Sequence, residues 1–140
     1  MAIHLFEEGV TLKIKNKLNI KKWLKETIEK EGYKLGELNY IFCSDEYLHQ
    51  MNVSYLNHDT LTDIITFDNS DVEGKIIGDI FISIDRVTEN AKKFDVEFTD
   101  ELNRVMVHGA LHLVGYKDKK KEEQEKMRAK ENYYLKRRNF

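Results

Sequence analysis

The sequence predicts an α+β protein: a small mixed β-sheet of about four strands with helices packed on it, and a metal site at the end of a central helix. Three observations carry that reading. Apolar residues alternate over some segments and recur every three or four residues over others. The two kinds of segment are interleaved, which places helices on a sheet rather than in a bundle. No proline, Gly/Ser-rich linker or internal repeat interrupts the 140 residues, so residues 1–140 are expected to form one domain.

In chain order, Ile20, Trp23, Leu24, Thr27 and Ile28 share one helical face, and Gly32 is placed to stop that helix. Residues Leu38 to Cys43 have the aromatic and branched composition of a strand. Ser44 or Asp45 can cap a short helix whose inner face is Leu48, Met51 and Tyr55. Residues Thr62 to Phe67 read as a second strand, and the turn-forming run Asn69 to Gly74 joins it as a hairpin to residues Ile77 to Ile84. That third run is apolar on both faces, as a central strand is. Val87, Ala91 and Phe94 continue at helical spacing, and Leu102, Val105, Met106, Gly109 and Leu113 form the stripe of a longer helix. A charged helix over residues 119–137 follows, with Met127, Tyr134 and Leu135 as its apolar contacts.

A hydrophobic fraction of 41% with 34% charged residues excludes a disordered chain. No apolar run reaches the roughly 18 residues of a membrane span, and the N-terminal residues lack the basic and apolar regions of a secretory leader. The lone Cys43 excludes an internal disulfide framework and suits a reducing cytoplasm, where the protein is expected to work. The net charge of −2 conceals an asymmetry. Residues 117–138 hold ten Lys/Arg against five Asp/Glu, whereas the other residues are net acidic. A polyanion is therefore attracted to one end of the chain.

The chemistry concentrates in Val107-His108-Gly109-Ala110-Leu111-His112-Leu113-Val114-Gly115-Tyr116-Lys117-Asp118. Positions i and i+4 of a helix point the same way, so His108 and His112 can offer two imidazoles to one metal ion. Gly115 can end the helix in a left-handed conformation and return the chain, bringing Asp118 in as a third ligand. Two imidazoles and a carboxylate leave a fourth position open, as catalytic zinc sites do. The spacing H-x3-H-x2-G-x2-D matches that of metzincin peptidases, whose first histidine is followed by a glutamate general base. Gly109 stands there, which disfavours peptide hydrolysis. Lys117, Lys119, Lys120 and Lys121 bracket Asp118 and suit an anionic phosphodiester. His4 and His49 have no such company and read as structural or exposed.

The segment HGALHLVGYKD resembles the H-G-x-L-H-L-x-G-Y-D-H signature of the YbeY family of ribosomal RNA maturation endoribonucleases. The run from Met51 to Phe67 is similar to the family's L-N-x-x-Y-R-x-K-D-x-P-T-D-V-L-S-F stretch, and Gly78 to Ser83 to its G-D-I-x-I-S strand. The resemblance implies a zinc-containing, single-strand-specific RNA hydrolase associated with the ribosome. Its implied role is to form the 3′ end of small-subunit rRNA and to serve ribosome quality control, with RNA and the small ribosomal subunit as partners. The family's first two ligands fall on His108 and His112, and its third histidine on Asp118. The family arginine falls on Leu56, which cannot clamp a phosphate. The family lysine falls on His58, which can supply a proton or a hydrogen bond and so joins the catalytic candidates. A cleft toward the metal is expected above the strands Thr62–Phe67 and Gly78–Ser83, with Thr66 and Asp79 as contact candidates. The rival readings are a peptide or amide metallohydrolase, a ferrous oxygenase with a two-histidine, one-carboxylate set, and a non-catalytic ribosome-assembly factor with a structural metal.

Overall fold

A computed structural model describes residues 2–56 and 62–140 of the chain. Its elements are β1 (Ile3–Glu7), α1 (Lys17–Lys30), β2 (Lys34–Cys43), α2 (Asp45–Leu56), β3 (Ile64–Asp68), β4 (Lys75–Ser83), α3 (Ile84–Lys93), α4 (Phe98–Leu113) and α5 (Lys121–Lys136). The four strands of the described residues lie in the order β1-β2-β4-β3. β1, β2 and β4 run parallel, and β3 returns antiparallel through the hairpin, so the sheet is mixed as expected. Ser70 closes the hairpin turn, its hydroxyl donating to the Lys75 carbonyl (2.6 Å) and accepting from Ile77 N–H (3.0 Å).

Strand alternation divides the sheet into two faces. Leu38, Tyr40 and Phe42 of β2 pair with Gly78, Ile80 and Ile82 of β4, and Ile64 and Thr66 of β3 lie beside Ile82 and Ile80. This face lies under α4, and its apolar side chains join the large core with those of α1, α4 and α5. Tyr40 is fully buried there and donates its hydroxyl to the Met106 carbonyl at 2.7 Å, so the one polar atom it brings into the core is satisfied. The opposite face carries Ile65, Phe67, Asp79 and Phe81, where α2 packs through Tyr47, Leu48 and Met51.

Three details differ from the sequence reading. β1 is a strand that the sequence reading did not identify. It is five residues long, and only Ile3 and Leu5 turn to the core, too few positions to display a period. Phe94 leaves the inner stripe where α3 stops at Lys93 and Asp95 turns the chain at φ 54°, and the residue is 50% exposed. The charged helix begins at Lys121, with Lys120 at its N-cap donating its N–H to the Glu123 carboxylate (2.9 Å). Among the described residues no helix is long and apolar enough to cross a membrane.

Candidate metal centre

α4 places the two histidines, and the sheet beneath it explains the glycine between them. A Cβ at Gly109 would lie 2.9–3.0 Å from the side chains of Ile64 and Ile80, so any side chain there would have to push the isoleucines aside. Position 109 faces the core. A glutamate there would start out against Ile64 and Ile80, so packing as well as chemistry disfavours the peptidase base at this position.

α4 ends as the sequence predicts. Gly115 is left-handed at φ 108°, and Tyr116 N–H reaches back to the Leu111 carbonyl at 3.0 Å. That turn does two things at once. It points the Tyr116 carbonyl at Nδ1 of His112 (3.0 Å), and it returns the chain so that Asp118 meets the histidines.

The three candidate ligands converge. Nε2 of His112 lies 3.0 Å from Nε2 of His108, and Oδ2 of Asp118 lies 3.2 Å from the first histidine and 3.3 Å from the second. Ligands about 2.0–2.1 Å from one tetrahedral ion stand roughly 3.3–3.4 Å apart, so the spacing fits a single small cation. Proton bookkeeping supports the fit. A carbonyl only accepts, so Nδ1 of His112 carries its proton and Nε2 is a lone pair. Nδ1 of His108 faces Oε2 of Glu131 at 2.5 Å, which likewise favours a proton there. Two imidazole lone pairs and a carboxylate oxygen then face one another, an arrangement that a cation relieves.

Glu131 of α5 was not singled out from sequence. It lies 23 positions from His108 on another helix, in a segment whose composition reads as a solvated charged face. Its side chain is only 7% exposed and takes a second contact from Nη1 of Arg104 at 2.9 Å. Burial alone would raise its pKa, but the His108 and Arg104 contacts outweigh burial and hold the carboxyl below the usual range. Burial likewise opposes the charge on His108, while Glu131 raises its pKa above that of an ordinary histidine. Orienting bonds of this kind to the far nitrogen of a ligating imidazole fix its tautomer and increase its basicity.

The cluster lies between two adjoining cavities. One, of about 360 Å³, opens toward α3 and α5; the other, of about 410 Å³, opens along β3 past Thr66 and Lys119. Asp63, His108 and Asp118 line both. Asp63 precedes β3, and burial raises its pKa above the usual carboxylate range. Thr66, a contact candidate, lines the second cavity. Asp79 does not: strand alternation turns it to the opposite face, where it accepts from the side-chain amides of Asn39 (3.0 Å) and Asn69 (3.2 Å). Of the flanking lysines, Lys119 lines the cavity. His4 is part-exposed, with Nε2 3.6 Å from Glu37. His49 is half-buried on α2, and Leu56 is the last residue of that helix. His58 lies outside the described residues.

A mixed sheet beneath a helix that ends in a His–His–Asp donor cluster defines the structural class. The Endoribonuclease YbeY family description matches residues 6–139. An Endoribonuclease YbeY of Cytophaga hutchinsonii is 56% identical over 99% of this chain and 97% of its own length. One of Flavobacterium johnsoniae is 58% identical over 79% of this chain and 78% of its own length. A Thermotoga maritima protein whose structure was determined in solution has the same fold, with a TM-score of 0.63 and 30% identity, over 96% of this chain and 87% of its own. The chain belongs to the Endoribonuclease YbeY family.

Proposed function

We propose that this protein is a metal-dependent endoribonuclease that cuts single-stranded RNA, with its physiological role in maturing the 3′ end of small-subunit rRNA and in ribosome quality control in the cytoplasm. The observation that carries the reading is the donor cluster between two open cavities. An endonuclease must let its substrate continue on both sides of the cut, and a strand can enter by one cavity and leave by the other. The family relationship supports the same chemistry.

His108, His112 and Asp118 would hold the ion through Nε2, Nε2 and Oδ2, and zinc suits this nitrogen-rich set. When bound, such an ion supplies Lewis acidity and an activated water to phosphodiester hydrolysis. The side chains perform the remaining tasks. Glu131 and the Tyr116 carbonyl hold the imidazoles in one orientation. Asp63, His108 and Asp118 line both cavities; with the latter two engaged as ligands, Asp63 is the carboxyl among these three left to exchange a proton with a phosphate oxygen. Lys119 attracts the backbone. The core-facing position of Gly109 counts against the peptidase reading.

The test is incubation of the purified protein with single-stranded and duplex RNA, with and without chelator, alongside elemental analysis. Internal cuts confined to the single strand, lost with chelator and restored by zinc, are expected. Cutting that is indifferent to chelator, or no cutting at all, contradicts the proposal.

A further inference from the structure

We propose that the groove leading from the metal cluster past the end of α3 and along α5 binds single-stranded RNA on one side of the cut, with Phe94 stacking on a base and Arg128 holding a phosphate. The inference rests on the proposed function and deepens it by giving one arm of the substrate a path.

The cavity of about 360 Å³ that contains His108 and Asp118 shares Phe94, Glu101, Arg104 and Arg128 with a neighbouring cavity of about 560 Å³, which continues to Lys136. The two form one continuous trough starting at the cluster. Phe94 stands at their junction as a 50% exposed residue, and Lys93 Nζ lies 5.6 Å from the ring centroid. An open aromatic ring with cations around it is the combination by which single strands are held: the ring takes a base and the cations take phosphates. A duplex offers no unstacked base to such a ring.

Charge in the trough is mixed, so the place for an anion is set by which of its cations is left open. Arg104 is committed to Glu131 (2.9 Å) and to the Asn132 side chain (2.8 Å), so it joins α4 to α5 as part of the floor. Arg128 is different: its side chain is 57% exposed, and among the described residues its carboxylate contact, to Glu131, is a long 4.0 Å. Its planar fork is open to a phosphate. Of the acids lining the trough, Asp100 is paired with Arg138 at 3.1 Å, Glu131 is held by Arg104 and His108, and Asp118 belongs to the donor cluster. The trough follows from α3 ending one residue before Phe94, and Lys119 and Thr66 line the other cavity at the cluster and not this one.

The experiment measures cleavage of a labelled single-stranded oligoribonucleotide by zinc-loaded wild type, Phe94→Ala, Phe94→Tyr and Arg128→Gln, with fluorescence anisotropy of the same strand in chelator as a readout independent of turnover. Both altered side chains are exposed, so melting temperatures should match wild type. Phe94→Ala is expected to raise KM and weaken binding about ten-fold with kcat retained, and Phe94→Tyr, which keeps a ring, to restore both. Arg128→Gln is expected to weaken binding and to reduce the slope of log affinity against log salt by about 0.7. An active wild type whose Phe94→Ala and Arg128→Gln variants bind and cut unchanged overturns the trough alone. A wild type that neither binds nor cuts single-stranded RNA overturns the trough and the proposed function together.

Discussion

Glu131 shows how much of this site depends on one side chain outside the histidine motif. It contacts His108 and Arg104 from a third position in the chain and joins α5 to α4 at the point where the donors converge. Partners that orient a ligating histidine typically account for 10–100-fold in metal affinity. In a zinc titration against a competing chelator, Glu131→Gln should therefore weaken binding by about that factor, His112→Ala should abolish it, and Asp118→His should preserve it. A second carboxyl, Glu31, works through the loop. It accepts hydrogen bonds from the hydroxyls of Tyr134 and Tyr116 and from Lys130 Nζ, and its side chain is only 11% exposed. Burial alone would raise its pKa, but these donors outweigh burial and hold the carboxyl below its ordinary value of 4.5. A carboxyl depressed in the folded state contributes stability above its unfolded pKa and loses it as pH falls through the folded one. Thermal melts of the wild type should thus drop below about pH 4.5, while Glu31→Gln should melt lower at neutral pH, by about 2 kcal/mol, and depend less on acid.

At the scale of elements, the motif residues are explained by what each touches. Gly109 lets α4 approach the sheet, so Gly109→Ala should cost about 1–3 kcal/mol in denaturant melts. Ser83, at the end of the strand motif, donates its hydroxyl to Asp45 (2.6 Å) and accepts from Arg86 N–H (3.2 Å), clasping the start of α2 to that of α3. Elements with a strong period were legible in the sequence: α1, β4 and α4 follow from their apolar spacing, and His108, His112 and Asp118 from two imidazoles on one helix face and a breaker glycine. What was not legible needed three dimensions. β1 has too few core positions to show alternation, Asp79 could be assigned a face only once the register was known, and Glu131 reads as one more charge on a charged helix until α5 is packed against α4. Phe94 fits the apolar spacing of α3 and leaves the core where the helix stops a residue earlier.

Across the whole molecule, charge is segregated: residues 117–138 carry a basic excess and the remainder an acidic one. If the lysines around Asp118 serve RNA, replacing three of Lys117, Lys119, Lys120 and Lys121 by glutamine should weaken binding to all sequences alike. It should also flatten the salt dependence by roughly 0.7 for each phosphate no longer neutralised, with cutting retained at saturating RNA. An unchanged slope in a salt titration would return them to the role of a solvated turn. This measurement and the Phe94 series address different residues around the cluster, so together they map the strand's course past it.

The contact between Glu131 and His108 also has a meaning in time. A chain is made from its N-terminus, so both histidines and Asp118 emerge from synthesis before the carboxylate that orients the first of them. α5 also supplies the Tyr134 carbonyl that accepts from the Trp23 indole (2.8 Å), which ties the late helix to α1. Until α5 docks, His108 lacks its orienting partner. A chain whose last helix has not docked would thus carry both histidines and Asp118 without the contact that orients His108.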